Sequence, residues 1–274
     1  MLALVKPAAL ACAVGLLACA AAGAAALRHV VEKASSGNVQ AELSYDYANY
    51  AFSNVHVTIR RGGDTLVDGP VRPLSRYGLV WPGGRKKSVD VVNLDGDPEP
   101  EVLLDLYTGG AHCCWYAEVY RYIASANTYL RVVHTWGNTT YRSADLDHDG
   151  LREFVSGDDR FAYAFTSFSG STFPVQIWRY RSGRFIDVTR RFPAQVRRDA
   201  HRQWHWAWDT KRKANVGPLA AWAADQCLLR HCRSAFRQLE ALRRHQRIGR
   251  GWDATPRKFL KHLRRFLRRT GYLV

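Results

Sequence analysis

Two short acidic segments of the chain carry residue types that could bind a metal ion, and they lie 52 residues apart. Ca²⁺ takes about six to eight hard oxygen ligands, and alternate residues of a tightly curled loop point towards one centre. Carboxylates so close together repel one another unless a cation lies among them. We therefore predict a Ca²⁺ site in each segment. Oxygen-bearing side chains occupy positions 1, 3, 5 and 9 of both: Asn93, Asp95, Asp97 and Glu101, then Asp145, Asp147, Asp149 and Glu153.

Position 7 of each loop is expected to contribute a backbone carbonyl, from Glu99 in the first loop and Leu151 in the second. All of the predicted ligands are chelators, and none is obviously left to activate a water molecule. The expected role of the metal is therefore structural stapling. The alternative is that both segments are solvated turns, because Asp, Asn and Gly are ordinary turn residues.

The residues around the acidic loops have the composition and period of antiparallel β-strands. Between Val39 and Ile186 the chain is rich in Val, Tyr, Phe, Thr and Trp, and glycine-containing turns divide it. Apolar and polar residues alternate from Val55 to Ile59 and from Val175 to Tyr180. A turn after Tyr180 predicts a hairpin with the strand that begins at Phe185.

From Pro193 onward the apolar period becomes helical, with Val196, Ala200, Trp204 and Trp208 on one face. Further helices are predicted from Pro218 and around Phe236 to Leu242. A last helix is predicted from its N-cap Thr255 and Pro256 to Gly271. The predicted fold class is α+β, with an antiparallel β-domain followed by an all-helical segment of about four helices.

The acidic loops and the strands that they enter resemble the FG-GAP and VCBS repeat proteins, in which short Asp-rich loops join strands of β-propeller blades. The resemblance covers roughly Val89 to Phe165 and depends on the two loops and the apolar strands that follow them. It implies a propeller-like β-domain that binds Ca²⁺. The first loop departs from the pattern at Asn93, where Asp is usual, and at Pro98, where Gly is common.

The N-terminus predicts export. An Ala-rich apolar run extends from Pro7 to Leu27 and is interrupted by no charge. A cleaved signal peptide, a lipoprotein signal ending at Cys19 and an uncleaved anchor all fit this pattern. The predicted organisation is an export signal or anchor at 1–27, a linker at 28–38, a β-rich domain at 39–190 and a basic helical segment at 191–274. The protein is thus expected to be secreted or attached to the cell envelope.

Four cysteines, Cys113, Cys114, Cys227 and Cys232, follow the export segment and are expected to form disulfides in an oxidising compartment. Four cysteines allow three pairings, including a vicinal Cys113–Cys114 bond or links to the other pair. A direct Cys227–Cys232 bond requires a helix to end near His231, because residues five apart lie on different helical faces. A metal or redox site at His112 to Cys114 is the alternative.

The formal charge of +16 lies in the C-terminal third, where 22 Lys and Arg accompany 5 Asp and Glu from Arg190 onward. The last predicted helix has an apolar stripe from Phe259 to Leu267, which predicts docking on the β-domain. Its basic face could contact a membrane surface or an envelope polyanion. Export argues against nucleic acid as the working partner. The residues of that face are Lys258, Lys261, Arg264, Arg265, Arg268 and Arg269.

Other residues of chemical interest have structural interpretations. Trp204, Trp206 and Trp208 could stack on sugars or bases, but two of them share the apolar helical stripe and are expected in the core. Asp158 and Asp159 form a carboxylate pair without the His or Ser partner that hydrolytic mechanisms use. No nucleophile elbow, phosphate-binding loop or zinc-protease motif is present in the sequence.

These features together predict a non-catalytic exported module, stapled by Ca²⁺, that interacts with or adheres to an unknown protein or envelope polymer. The first alternative is a secreted metal-dependent hydrolase whose second acidic loop leaves a coordination position open for water. The second alternative is an electrostatic binder of anionic envelope polymers or membranes that acts through the Arg-rich tail.

Overall fold

The computed structural model describes residues 26–74, 80–83, 87–208 and 212–273. They form an α+β fold, as the sequence predicts, with three antiparallel sheets followed by a helical layer. The predicted export segment lies almost entirely outside the described residues. Among the described residues, no helix is both long and apolar enough to span a bilayer.

The first sheet is an antiparallel meander in the order β1-β2-β3-β4. Its strands are β1 Arg28–Ser36, β2 Val39–Ala48, β3 Ala51–Arg61 and β4 Asp64–Pro70. The predicted linker at 28–38 is therefore wrong, because these residues form β1 and the turn into β2, where Gly37 has a φ of +57°. Strand β1 is at the sheet edge and mostly exposed, so its polar sequence lacks the apolar alternation of a half-buried strand.

The second and third sheets repeat the same meander. In the second sheet β6, β7, β8 and β9 pair in sequence, and the short β5 also pairs with β7; in the third the order is β10-β11-β12-β13. The predicted hairpin after Tyr180 is confirmed as β12 and β13. The strands of the second sheet are β5 Trp81–Pro82, β6 Val89–Val92, β7 Glu101–Gly110, β8 Cys113–Ile123 and β9 Thr128–Gly137. Those of the third are β10 Arg142–Ala144, β11 Glu153–Gly157, β12 Val175–Arg181 and β13 Arg184–Asp187.

The first two sheets share one apolar core, in which Leu43 and Ile59 of the first sheet pack with Val102 and Leu104 of the second. A separate cluster connects the second and third sheets and contains Leu94, Trp136 and Phe154. Leu94 belongs to the first acidic loop and is almost fully buried. Burial of this apolar side chain anchors the loop between two sheets.

Four helices follow the strands: α1 Pro193–Ala207, α2 Val216–Leu228, α3 Cys232–Arg244 and α4 Pro256–Arg269. The predicted starts at Pro193 and Pro256 are confirmed, and α2 begins two residues before the predicted Pro218. Thr255 caps α4 by accepting a hydrogen bond from the Lys258 N–H. Helix α4 ends before Gly271, which has a φ of +82°.

The apolar stripe of α4 is fully docked, as the sequence predicts. Phe259, Leu263 and Leu267 are buried with residues of α2 and α3 and with Phe161 and Phe165. The last two residues belong to the segment between β11 and β12, so the helical layer packs against an insertion of the third sheet. Since each such side chain contributes roughly 1.5–3 kcal/mol on burial, the stripe is committed to the core and is not free to enter a membrane.

Candidate metal-binding loops

The first acidic loop, residues 93–101, connects β6 to β7, and its own side chains shape its backbone. The Gly96 N–H donates to Asn93 Oδ1 over 2.7 Å, and the Glu99 N–H donates to Asp97 Oδ1 over 2.8 Å. Oxygen atoms of Asp95, Asp97 and Glu101 lie within 4.8 Å of one another. The structure thus brings three of the predicted carboxylate ligands around one centre.

Glu101 is the most unusual member of this cluster because only 1% of its surface is exposed. Its Oε2 accepts a hydrogen bond of 2.9 Å from the Leu94 N–H. Its Oε1 has no hydrogen-bond partner among the described residues. Burial, together with the smaller effect of the charges of Asp95 and Asp97, raises the pKa of Glu101 to about 7, although the hydrogen bond from the Leu94 N–H acts in the opposite direction. A buried carboxylate oxygen without a partner is costly unless a cation or a proton compensates it.

The side chain of Glu99 faces away from this cluster, which agrees with a ligand role for its backbone alone. It forms a two-pronged ion pair with Arg61 of β3, with N···O distances of 2.8 and 2.9 Å. Arg121 of β8 donates to Asp97 Oδ2 over 3.0 Å. The Ser182 N–H, in the β12–β13 turn, donates to Asp95 Oδ2 over 3.0 Å. The loop therefore bonds to all three sheets.

The second acidic loop, residues 145–153, connects β10 to β11, and it shares with the first the hydrogen bond to its ninth residue but clusters positions 1, 3 and 5 instead of 3, 5 and 9. Oxygens of Asp145, Asp147 and Asp149 cluster within 4.8 Å, and the Leu146 N–H donates to Glu153 Oε2 over 2.8 Å. The Leu151 N–H donates to Asp149 Oδ1, and this bond is the main reason that the pKa of Asp149 lies below its usual value. The two loops lie side by side, with Leu151 of the second loop against Gly96 of the first. A Cβ atom added at Gly96 would be only 3.4 Å from Leu151 Cδ1.

Arg179 of β12 distinguishes the second loop from the first. Its Nη2 donates to Asp147 Oδ1 over 3.0 Å, its Nη1 to Asp149 Oδ2 over 2.8 Å and its Nε to Glu153 Oε1 over 2.7 Å. Glu153 is completely buried and both of its oxygens have partners. One oxygen of Asp145 is left without a partner among the described residues. A single guanidinium group thus contacts three of the four carboxylates of the second loop.

Arg121 and Arg179 contact the acidic clusters, which the spacing of the carboxylates does not predict, and they occupy equivalent places. In the β7–β8 pair Val102 lies opposite Tyr120, so Arg121, the next residue of β8, lies beside the beginning of β7. In the β11–β12 pair Arg179 lies directly opposite Glu153, the first residue of β11. Each arginine therefore faces its loop from the next strand of the meander. Only the strand register reveals this relation, because the two arginines follow their loops at different distances along the chain.

The four cysteines form two local pairs, Cys113 with Cys114 and Cys227 with Cys232. The first pair lies at the tip of the β7–β8 hairpin, where Thr108 Oγ1 accepts from the Cys114 N–H over 2.6 Å. The second pair joins α2 to α3, and α2 ends at Leu228, as a direct bond requires. His112 lies against the Phe168 ring, 4.7 Å between centroids, so it packs as an aromatic residue.

The basic face of α4 remains exposed after docking, at Lys258, Lys261, Arg264, Arg265, Arg268 and Arg269. Trp204 of α1 and Trp208, which follows its last residue, pack against the helical core, whereas Trp206 is 48% exposed and lies beneath the Arg202 guanidinium. Asp158 is buried and paired with Arg160, and it accepts a hydrogen bond of 2.8 Å from the Tyr272 hydroxyl. Asp158 therefore fastens the C-terminus to the third sheet.

Comparison with known proteins gives relatives without an assigned activity. A probable thylakoid lumen protein of Synechocystis is 30% identical over 164 residues, which are 57% of this chain and 45% of that protein. An uncharacterised protein of Sinorhizobium fredii is 27% identical over 201 residues, 71% of this chain and 31% of that protein. The chain therefore spans less than half the length of these two relatives. No model of a protein family and no solved structure matches the chain.

Proposed function

We propose that this protein is a non-catalytic exported interaction module whose β-domain is stapled by Ca²⁺, with the first acidic loop as the tighter site. The observation that carries the proposal is Glu101: a carboxylate that is 1% exposed, lies beside Asp95 and Asp97, and has one oxygen without a partner among the described residues. Ca²⁺ bound there would be coordinated by oxygen atoms of these three side chains. Its charge would compensate the buried carboxylate.

The position of the first loop supports a stapling role. Its side chains already bond to β3, β8 and the β12–β13 turn, so an ion that orders the loop would hold three sheets together. Ligand binding that is restricted to the folded state adds directly to its stability. The hydrolase alternative gains no support from the second loop, where Arg179 binds three carboxylates.

Three successive antiparallel meanders, two of them with an acidic loop between their first and second strands, support the proposed relation to FG-GAP and VCBS repeats. We extend the proposal to a propeller-like arrangement of these meanders. The relative from Synechocystis is a probable thylakoid lumen protein, which supports export of this chain as well. The two local cysteine pairs are consistent with an oxidising compartment.

The experiment is a calcium titration of the purified protein. Calorimetry measures the binding, and thermal melting measures its effect on stability. We expect binding at dissociation constants on the order of 10⁻⁴ to 10⁻³ M, as in other extracellular calcium modules, and a higher melting temperature in Ca²⁺ than in Mg²⁺. Glu101→Gln should remove the tighter site, because it removes the charge that the ion would compensate.

Glu99→Gln is the matched control, since this side chain belongs to the same loop but binds Arg61 instead of the cluster. It should retain calcium binding and the calcium-dependent rise in melting temperature. No heat of binding and no shift in melting at millimolar Ca²⁺ would contradict the proposal. Equal losses in Glu99→Gln and Glu101→Gln would contradict the assignment of ligands.

A further inference from the structure

A cleft of about 1310 Å³ lies where the end of α2, the beginning of α3 and the middle of α4 meet. Five arginines line it: Arg190, Arg230, Arg233, Arg237 and Arg264. Among its described lining residues the one acidic side chain is Glu240, whose Oε1 is bound by Arg243 Nε over 2.7 Å. The cleft therefore carries a concentrated positive charge, separate from the two acidic loops.

The protein itself positions two of these arginines. Arg190 Nη2 donates to the Gly271 carbonyl over 3.0 Å, and the Arg264 guanidinium lies 4.4 Å from the centre of the Phe236 ring. The other three, Arg230, Arg233 and Arg237, are exposed and have no hydrogen-bond or ion-pair partner among the described residues. Like charges that line one cleft repel one another, and a bound anion would relieve the repulsion.

Arg230 occupies a backbone position that suits glycine better. Its φ is +66°, two residues after the last residue of α2, and the His231 N–H donates to the Gln226 carbonyl over 2.8 Å to close the helix. Residues other than glycine rarely adopt this conformation, because their Cβ crowds the backbone. A long cationic side chain at this position does not help the turn to fold. Its place in the cleft suggests a binding role instead.

The N-terminus of α3 adds to the positive potential of the cleft. Cys232, Arg233 and Ser234 of its first turn line the cleft, and the N-cap residue His231 forms no side-chain capping bond. Free N–H groups and the helix dipole at such an end favour a negative charge nearby. The Cys227–Cys232 pair fixes this helix end against α2.

We propose that this cleft binds a multivalent anion that bears phosphate groups, either as a free oligophosphate or as part of a phosphate-containing polymer. Arginine is suited to phosphate because its planar fork bonds two oxygens at once. A concave cleft fits a compact anion or a chain, whereas a flat membrane would contact only the rim. The apolar stripe of α4 is buried and cannot assist membrane insertion.

The test is calorimetric titration of the whole protein with sodium tripolyphosphate in the presence of a calcium chelator, so that the acidic loops do not contribute. One bound tripolyphosphate per chain is expected. Arg230→Gly should weaken binding by about tenfold or more, as expected for the loss of one charge-assisted contact, while the melting temperature stays equal or rises because the strained position is relieved. Loss of affinity without loss of stability would separate binding from folding.

Arg233→Gln and Arg257→Gln form a matched pair, since each arginine is the second residue of a helix and is exposed, but only Arg233 lines the cleft. Arg233→Gln should weaken binding about tenfold and Arg257→Gln should leave it nearly unchanged. Equal effects of the two variants would overturn the proposal, and so would an absence of tripolyphosphate binding.

Two further titrants identify the source of the phosphate. Tighter binding of long-chain polyphosphate than of tripolyphosphate would support a polymer, and equal affinity would support a free oligophosphate. Binding to vesicles that contain anionic phospholipid, without binding to either soluble phosphate, would overturn the cleft as the site and indicate a membrane surface.

Discussion

The two acidic loops have nearly the same sequence pattern and the same place in their meanders, yet they neutralise their charges differently. In the second loop Arg179 contacts Asp147, Asp149 and the fully buried Glu153. In the first loop Arg121 contacts Asp95 and Asp97 but does not bond to Glu101, whose Oε1 lacks a partner among the described residues. Both loops thus have an arginine, but in the second loop it also pairs with the buried ninth residue, whereas in the first loop the buried ninth residue, Glu101, has no arginine partner.

The neighbours of the loops also differ, and this difference explains which loop a metal would affect more. The first loop bonds to β3, β8 and the β12–β13 turn, which belong to three sheets. The acidic side chains of the second loop contact Arg179 of their own sheet and Arg191 just after it. Ordering of the first loop should therefore stabilise the whole β-domain, and ordering of the second should act mainly within one sheet.

Among the three arginine variants considered, Arg179→Met should cause the largest loss of the free energy of unfolding. It tests most directly the difference between the two loops. It leaves the fully buried Glu153 without its cationic partner, and removal of one member of a buried ion pair costs about 3–5 kcal/mol. The free energy of unfolding from urea denaturation in a calcium chelator measures this loss. Arg181→Met, an exposed residue of the same strand, is the control and should change stability little. A small effect of Arg179→Met would show that the second loop does not depend on its arginine.

Arg121→Met should have an intermediate effect that calcium reverses. Its side chain is 26% exposed and its partner Asp95 is nearly buried, so in a chelator the variant should lose about 1–3 kcal/mol of the free energy of unfolding. Millimolar Ca²⁺ should restore most of this loss, because the ion would neutralise the same carboxylates. Denaturation with and without Ca²⁺ checks both statements. If Ca²⁺ does not restore the free energy of unfolding that Arg121→Met loses, the first loop is not a calcium site.

Arg61→Gln should have the smallest effect on the free energy of unfolding. It breaks the ion pair between β3 and Glu99, in which both side chains are about a quarter exposed, at 28% and 26%. Exposed pairs of this kind contribute about 0.2–1 kcal/mol, and this contribution decreases at high salt. Thermal melting at low and high salt measures it, with the exposed neighbour Arg60→Gln as the reference. A loss several times larger would mean that this contact, more than a metal, joins the first sheet to the loop.

Much of the secondary structure could be predicted from local patterns. The alternation from Val55 to Ile59 is strand β3, and Thr255 with Pro256 begins helix α4. The sequence of β1 gave only a weak signal, because its inward face consists of Val30 and Ala34 with the charged Glu32 between them. Its pairing with β2, from Arg28 opposite Tyr47 to Ser36 opposite Val39, comes from backbone hydrogen bonds that any sequence can form.

Some features of the candidate site could likewise be predicted from local sequence, and others could not. The clustering of Asp95, Asp97 and Glu101, and of Asp145, Asp147 and Asp149, is local and follows from residue spacing within a short loop. The identity of the cationic partners is not local, because Arg121 and Arg179 approach their loops across strand pairs whose register the spacing does not specify. The sequence suggested that the second loop was the more regular calcium loop, but regular spacing carries no information about which carboxylates an arginine will neutralise.

The sequence by itself determined where the strands give way to helices, which face of α4 is apolar and where the carboxylates cluster, because these properties depend on residues a few positions apart. Only the tertiary structure decided that Glu101 is buried with an unpaired oxygen, that Arg179 fills the second cluster, and that arginines from α3 and α4 share one cleft. Burial and charge pairing depend on residues that are distant in the chain and adjacent in space, and packing alone brings them together.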